Sequence, residues 1–488
     1  MIILKDILYK VAIEAVKGST DIAIDKMEFD SRKIGSNDIF VAIRGSVSDG
    51  HDYIQKAIEL GAKTIICDTF PENIESGITY IQVKDTNKAL AFMAANYFGN
   101  PSESLKLVGI TGTNGKTTIA SLLYQLFKKA GFKVGLLSTV KIMVDDIEYK
   151  ATHTTPDSIT INHYLREMVD TGVEYCFMEV SSHGIHQKRT EALHFAGGVF
   201  TNLSHDHLDY HATFSEYRDV KKSFFDNLPK TAFALSNIDD KNGSVMLQNT
   251  AAKKLTYALK SYADYKAQIL ENQLSGLLLK INNNEVWVKL IGTFNAYNLL
   301  AIYGTAVELG MDSLDALRLL SDLESVSGRF QFIVSNSLNI IAIVDYAHTP
   351  DALENVLKTI NDIRSKNEQL ITVVGCGGNR DVAKRPIMAG IASAMSDKVI
   401  LTSDNPRNED PDVIIAEMEQ GVAIHNQRKV LSISDRKQAI KVACQLAGPN
   451  DIILIAGKGH ETYQEIKGIR HDFDDMKIVK EILEQLHK

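Results

Sequence analysis

The chain has 488 residues, 44% of them apolar and 23% charged, with a net charge of −8 and an isoelectric point near 6.0. That is ordinary globular composition and, at roughly 100–200 residues per domain, enough for about three domains with cores of their own. The acidic balance, with no block of Lys or Arg, excludes a nucleic-acid footprint, while a local basic cleft for a small anion stays open.

The opening stretch MIILKDILYKVAIEAV is broken by Lys5, Asp6 and Lys10, so it lacks a signal-peptide core. Nowhere do about 18 apolar residues run together, and a cytoplasmic protein without membrane insertion is expected. Residues 1–98 mix short strands (DIFVAI, AKTIICD, ITYIQV) with helical patches such as DYIQKAIELG, which predicts a small α/β domain. From residue 103 the pattern becomes strand, glycine loop and helix: LKLVGI, then TGTNG, then TIASLLYQLFKKAG closed by Gly131. Strand candidates KVGLLST, YCFMEV, GGVFTNL and TAFALSN follow, as in a mostly parallel sheet that binds ligands at its carboxyl ends. Residues 263–292 read as antiparallel strands, ahead of the helical run NAYNLLAIYGTAVELG. A third pattern, placed at 328–488, has strand candidates NIIAIVDY, QLITVVGCG, DKVILTSD, KVLSIS and DIILIAGKG, enough for a Rossmann-like domain. The expected fold is thus α/β in three domains, 1–98, 99–327 and 328–488. The four cysteines lack CxxC spacing and are expected as buried thiols.

VGITGTNGKTT raises a specific question. A P-loop of the Gly-x-x-x-x-Gly-Lys-Thr form would put glycine at Ile110, and the chain has Gly112 instead. Backbone N–H groups of such a loop and the helix N-terminus cradle phosphate, the lysine neutralises charge and the next hydroxyl holds Mg²⁺. Gly112, Gly115, Lys116 and Thr117 fit those roles. Glu179 closes an apolar strand, where its carboxylate could reach a metal. His205, Asp206, His207, Asp209 and His211 fall within seven residues. His-x-His spacing also suits zinc, but a neighbouring ATP site favours Mg²⁺ and no cysteine lies close in sequence.

The motifs GTNGKTT, TTPDS, MEVSSHGIHQKR, NLSHDHLDYH, GTFNAYNLLAIYG, SGRFQ, DYAHTPDAL, GGNRDVAKRP, DNPRNEDP and GKGHETYQ occur in the order found in Mur ligases. The chain resembles that family from residue 30 to 464, in particular its branch that adds the third amino acid of the peptidoglycan stem peptide. The resemblance implies amide-bond formation: ATP phosphorylates a carboxylate, and an amine displaces phosphate from the acyl phosphate. It implies catalytic roles for Lys116, Glu179, His207 and Lys221, with Thr117, Glu179, His207 and a CO₂-carbamylated Lys221 at Mg²⁺. Neighbouring Lys222 is the rival for carbamylation. ATP contacts would come from Gly112, Thr113, Asn114, Gly115, Lys116, Thr117, Thr118, Asn295, Asn298, Arg329, Asp345 and His348. Read alone, the two asparagines would be helix caps.

By the same resemblance Ser31, Ser46, Val47 and Ser48 hold the uridine nucleotide. His153, Thr154, Thr155, Ser181, Gln187 and Arg189 hold the muramoyl-dipeptide of UDP-MurNAc-L-Ala-D-Glu. Arg380, Asp404, Asn405, Pro406, Arg407, Gly457 and Glu461 match the pocket for meso-diaminopimelate. There a guanidinium can grip the amino acid's far carboxylate with two parallel hydrogen bonds. A monomer is expected. Open rivals are a lysine-adding relative, a folylpolyglutamate synthetase and an ATP-gated binding protein that makes no bond.

Overall fold

The computed structural model describes residues 2–45, 48–204, 210–211, 213–365 and 367–488. Ser46, Val47 and His207, with His205, Asp206 and Asp209, lie outside the described residues. The chain is α/β and holds three principal sheets of five, eleven and six strands.

The N-terminal sheet runs in the order Ile13–Lys17, Thr79–Val83, Thr64–Cys67, Ile39–Val41, Met27–Glu28, parallel except for its first pair. Helix Thr86–Tyr97 rests against helix Ser158–Asp170 of the central region. Phe98 meets His163 edge-on at 5.9 Å, and Lys88 pairs with Glu191 at 3.3 Å.

The central sheet explains its own sequence pattern. In Lys106–Thr111 every residue after Lys106 is buried, because helices cover both faces. Val108 and Ile110 enter one core, with helices Lys116–Lys129 and Thr293–Glu308. Leu107 enters the other, with Ser158–Asp170 and Phe214–Asp226. The alternation is the two-residue period of a strand. Neighbours of Lys106–Thr111 are Tyr175–Glu179 and Phe195–Phe200, both parallel, and Val134–Leu137, Phe233–Asn237, Lys253–Ala258 and Tyr265–Gln273 extend the parallel part. Each end turns antiparallel: Lys141–Val144 and Ile147–Lys150 at one edge, Gly276–Ile281 and Asn284–Val288 at the other. The segment 263–292, read as antiparallel strands, continues this sheet: its first strand joins in parallel and the next two are antiparallel. Gly131, at φ +92°, ends the helix after the loop as expected.

The C-terminal sheet has the five expected strands, all parallel, in the order Ile341–Asp345, Ile452–Ala456, Leu370–Cys376, Lys398–Ser403, Val430–Ser432. A sixth, Gln331–Val334, adds an antiparallel edge; only partly buried, it carries little apolar signal. All four cysteines are buried thiols, with burial raising the Cys67, Cys376 and Cys444 groups to about 12. No helix among the described residues is long and apolar enough to cross a membrane.

A buried ion pair braces this last sheet. Arg436 opens helix Arg436–Leu446 and Asp475 opens helix Asp475–Gln485, and both side chains are fully buried. The guanidinium donates to both carboxylate oxygens at 2.9 and 2.7 Å, and also to the carbonyls of Ala456 (3.0 Å) and Ser403 (3.4 Å). Those two residues end the strands that lead into Gly457 and Asp404. Asp475→Ala, which strands the buried cation, is expected to lower thermal stability by about 3–5 kcal/mol. Combining it with Arg436→Met should recover most of that loss in the same melting experiment.

Candidate active site between two sheets

The central and C-terminal sheets turn their strand carboxyl ends toward one cleft of about 2190 Å³. From the central sheet it receives the loop after Thr111, Glu179, and Thr201 with Asn202. From the C-terminal sheet it receives Asp345, Gly377, Asp404 and Gly457.

The altered loop spacing has a steric cause. A Cβ on Gly112 (φ +148°) would lie 1.9 Å from Thr201 Oγ1, and one on Gly115 (φ +89°) 2.7 Å from Asn298 Oδ1. The loop is sewn to the adjacent strand end. Thr113 N donates to Asn202 O (2.8 Å), Asn114 N to Asn202 Oδ1 (3.0 Å), and Thr201 Oγ1 to Asn114 O (2.6 Å). Thr113 Oγ1 also shares a hydrogen bond with the Tyr217 hydroxyl at 3.1 Å. Lys116 Nζ donates to the carbonyls of Gly112 (2.9 Å) and Thr113 (2.7 Å), so its charge sits over the loop. Gly115, Lys116, Thr117 and Thr118 line the cleft at the start of the helix, where the helix dipole favours an anion.

Glu179 is wholly buried, with each oxygen assigned. Oε2 accepts from Thr117 Oγ1 at 2.9 Å and Oε1 from Thr139 N at 2.7 Å, while its carbonyl accepts from Thr155 Oγ1 at 2.8 Å. A carboxylate and a hydroxyl in contact beside a phosphate-type loop are hard oxygen donors, a set that fits Mg²⁺. No cluster of three or more His, Cys, Asp or Glu suited to a metal occurs among the described residues.

Tyr217 and Lys221 lie one turn apart on helix Phe214–Asp226, and Lys221 Nζ lies 4.8 Å from the Tyr217 ring centre. Its ammonium is buried and donates to Gly112 O at 3.0 Å. A carbamate nitrogen would keep one N–H for that carbonyl, so the position fits the modified residue. Lys222 is instead bound to both oxygens of Asp226 at 2.7 Å and does not line the cleft.

Around the dipeptide candidates, Thr155 Oγ1 accepts from Ser181 N (2.9 Å), and Arg189 donates to Thr155 O (2.6 Å) and twice to Gln187 Oε1 (3.1 and 2.7 Å). Burial holds the Arg189 guanidinium below its usual pKa. His153, Thr154, Thr155, Ser181 and Arg189 line the cleft, with Gln187 behind Arg189.

Arg329 bridges the two sheets: its Nη2 donates to Thr117 Oγ1 at 3.2 Å and its guanidinium lies 4.5 Å from the Tyr346 ring centre. Asp345 accepts from Phe330 N at 2.6 Å, and burial raises its carboxyl to about 6 against the pull of Arg329. His348 and His460 flank the Tyr346 ring. Asn295 and Asn298 line the cleft inside helix Thr293–Glu308 and are not its caps. Asn295 Nδ2 donates to Ile291 O, Asn298 Nδ2 to Asn295 Oδ1, and the N-cap position belongs to Gly292.

Arg380, Asp404, Asn405, Arg407, Gly457 and Glu461 gather at the far end. Arg407 has φ +51°, a left-handed backbone held by Arg407 N to Glu465 O (3.0 Å) and Lys467 N to Arg407 O (2.7 Å). Its Nη1 donates to Gly378 O at 2.7 Å. A Cβ on Gly377 would lie 2.9 Å from Arg407 Nη1 and 3.8 Å from Arg380 Cγ, so the two arginines flank that glycine. Pro406 is not in the lining, but its carbonyl would meet a Cβ on Gly378 at 2.0 Å. A Cβ on Gly457 would lie 2.8 Å from Asp404 Oδ2.

The structure does not bring Ser31 or Ser48 into this cleft. Ser31 is buried at the start of the short helix Ser31–Lys33, and Ser48 is exposed, with its carbonyl accepting from Gly45 N at 3.0 Å. Sequence reasoning missed Thr139, Tyr346, Lys384, Lys458, His460 and Arg470. Lys384 and Lys458 sit inside the motifs GGNRDVAKRP and GKGHETYQ; for Lys458 the signal was a lysine set between two glycines after an apolar strand.

Comparison with known proteins agrees with the architecture. Residues 23–98 match the Mur ligase family catalytic domain, 110–306 the Mur ligase middle domain, and 328–459 the Mur ligase glutamate ligase domain. The UDP-N-acetylmuramoyl-L-alanyl-D-glutamate–2,6-diaminopimelate ligase of Cytophaga hutchinsonii is 55% identical over 99% of this chain and 100% of its own. The ligase of that name from Bacteroides fragilis is 53% identical over 98% and 99%. A solved structure of a ligase of that name superposes with a TM-score of 0.70 at 32% identity, covering 100% of this chain and 99% of its own. Folylpolyglutamate synthase of Mycobacterium tuberculosis shares the fold alone, at 18% identity, a TM-score of 0.61 and 76% of this chain. The chain belongs to the Mur ligase family.

Proposed function

We propose that the protein joins meso-diaminopimelate to the D-glutamate γ-carboxylate of UDP-MurNAc-L-Ala-D-Glu with hydrolysis of ATP, in peptidoglycan precursor synthesis. The observation that carries this is the single cleft: a phosphate-type loop with Glu179 at one side and an arginine–carboxylate pocket at the other. Full-length identity of 55% to a diaminopimelate ligase supports the choice of amine.

A carboxylate resists attack by an amine because oxide is a hopeless leaving group, whereas phosphate leaves readily. The loop N–H groups, Lys116 and Arg329 hold the transferred phosphoryl group and offset the repulsion between two anions. Thr117, Glu179, His207 and a carbamylated Lys221 would hold Mg²⁺, which supplies the remaining charge neutralisation. Asn295, Asn298, Asp345 and His348 position the rest of ATP. His153, Thr154, Thr155, Ser181, Gln187 and Arg189 hold the dipeptide so that its γ-carboxylate faces the γ-phosphate. Ser31, Ser46, Val47 and Ser48 anchor the uridine end. We assign residues 1–98, 99–327 and 328–488 to the UDP-sugar, ATP and amino-acid domains of a cytoplasmic monomer.

The amine enters from the other side. Arg407, with Arg380 beside it, takes the far carboxylate of diaminopimelate, and Glu461 takes the far ammonium, with Asp404 adding negative charge and Asn405 holding Glu461 in place. Lysine has no far carboxylate, and Arg407 would lose its bidentate partner.

Phosphate release and product mass, measured with ATP, Mg²⁺ and UDP-MurNAc-L-Ala-D-Glu, test the whole reading. A tripeptide product is expected with diaminopimelate and not with L-lysine; lysine product alone would keep the ligase and overturn the role of Arg407. Arg407→Ala is expected to raise KM for diaminopimelate ~10-fold or more, with a smaller effect on KM for ATP. Lys221→Ala is expected to lose activity and to regain part of it with formate or acetate, which supply carboxylate oxygens. Full activity in that variant without any addition would remove Lys221 from the site.

A further inference from the structure

We propose that Lys458 is the positioning residue of the amine pocket: from beneath the floor it fixes Asn405 and Glu461 so that one carboxylate oxygen stays open to the far ammonium of the incoming diamino acid. This rests on the amine reading given above.

Lys458 is fully buried and is not part of the cleft lining, so it acts only through the residues above it. Its Nζ donates to Asn405 Oδ1 at 3.0 Å and Glu461 Oε2 at 3.1 Å, and lies 3.7 Å from Asp404 Oδ1. A lysine this deep persists only with anionic partners. An ammonium has donors and no acceptor, so it compels Asn405 to present its oxygen downward. That oxygen also accepts from Glu465 N at 2.9 Å. The amide nitrogen is thereby aimed at Glu461 Oε2, which it reaches at 2.7 Å. Oε2 is then saturated by two protein donors, and Oε1 is the atom left for a ligand.

Charge points the same way. Asp404 Oδ1 is buried without a hydrogen bond among the described residues. Asp404 and Glu461 over one lysine leave one net negative charge, the complement of one ammonium. Glu461 also faces Tyr346, Tyr463 and the deeper Arg436. Burial and Asp404 push the Glu461 carboxyl above its usual range, while Lys458 pulls it down. Without the lysine, Glu461 protonates at higher pH.

The test is steady-state ligation by the full chain carrying Lys458→Met, with thermal unfolding to check the fold. KM for diaminopimelate is expected to rise ~10-fold or more, while KM for ATP and for the UDP substrate stays within about twofold. The acid limb of kcat/KM for diaminopimelate should move to higher pH. In a Glu461→Gln background the same substitution should change that KM little. Equal losses for all three substrates, or an unmoved acid limb, would overturn the proposal and leave Lys458 a structural lock. Lys458→Gln provides a second reading if Lys458→Met does not fold; failure of both to fold counts against the proposal. If the unmodified protein forms no amide with diaminopimelate, the functional reading falls. If it does and Lys458→Met matches it, this inference alone falls.

Discussion

Two positions without side chains determine where the phosphate-type loop can lie. Gly112 presses its backbone against Thr201 and Asn202, and Gly115 presses against Asn298. Any Cβ would push the loop off the neighbouring strand and break the bonds that Thr113 and Asn114 make to Asn202. The spacing that looked irregular in sequence follows from this contact. Glycine is needed where the loop crosses the next strand end, and Ile110 lies two residues earlier, inside the sheet, where it is buried in the core.

The contact also orders the groups around the loop. With Gly112 held in place, its carbonyl receives Lys116 from one side and Lys221 from the other. Thr117 then falls opposite Glu179, whose second oxygen is tied to Thr139 N. A carboxylate buried this deeply needs such donors, since each lone pair left unmet in a dry site is costly. Arg329 joins Thr117 from the other sheet, so one hydroxyl is shared by the acid that would face a metal and the arginine that would face a phosphate.

Much of this could be read from the chain because parallel strands buried on both faces are continuous apolar runs, and the residues just past them are the polar ones that face ligands. Lys106–Thr111, Tyr175–Glu179 and Ile341–Asp345 were legible for that reason. Gln331–Val334 and the hairpin Lys141–Val144 with Ile147–Lys150 were not, because edge strands carry mixed patterns. Asn295 and Asn298 read as caps because a residue type near a helix start says nothing about which turn it occupies. Lys458 escaped because a single lysine reads as a solvated one. Only the fold shows that glycine and strand neighbours have drawn it under the pocket.

The residues proposed for the amine and those proposed for the nucleotide are mechanically one object. Asp345 ends a strand, and its carbonyl accepts from Gly457 N at 3.0 Å, while its carboxylate holds Phe330 N next to Arg329. Gly457 in turn lets Asp404 approach where a Cβ would meet its Oδ2 at 2.8 Å, and Arg436 ties the ends of the Asp404 and Gly457 strands together from below. Arg329 is therefore connected through Phe330, Asp345 and Gly457 to the floor beneath Asp404 and Glu461. The residues proposed for the ribose end of the nucleotide and those proposed for the amine thus adjoin at the carboxyl ends of neighbouring strands of one sheet. Reactants held there would lose on binding most of the orientational freedom that otherwise separates amine from acyl carbon.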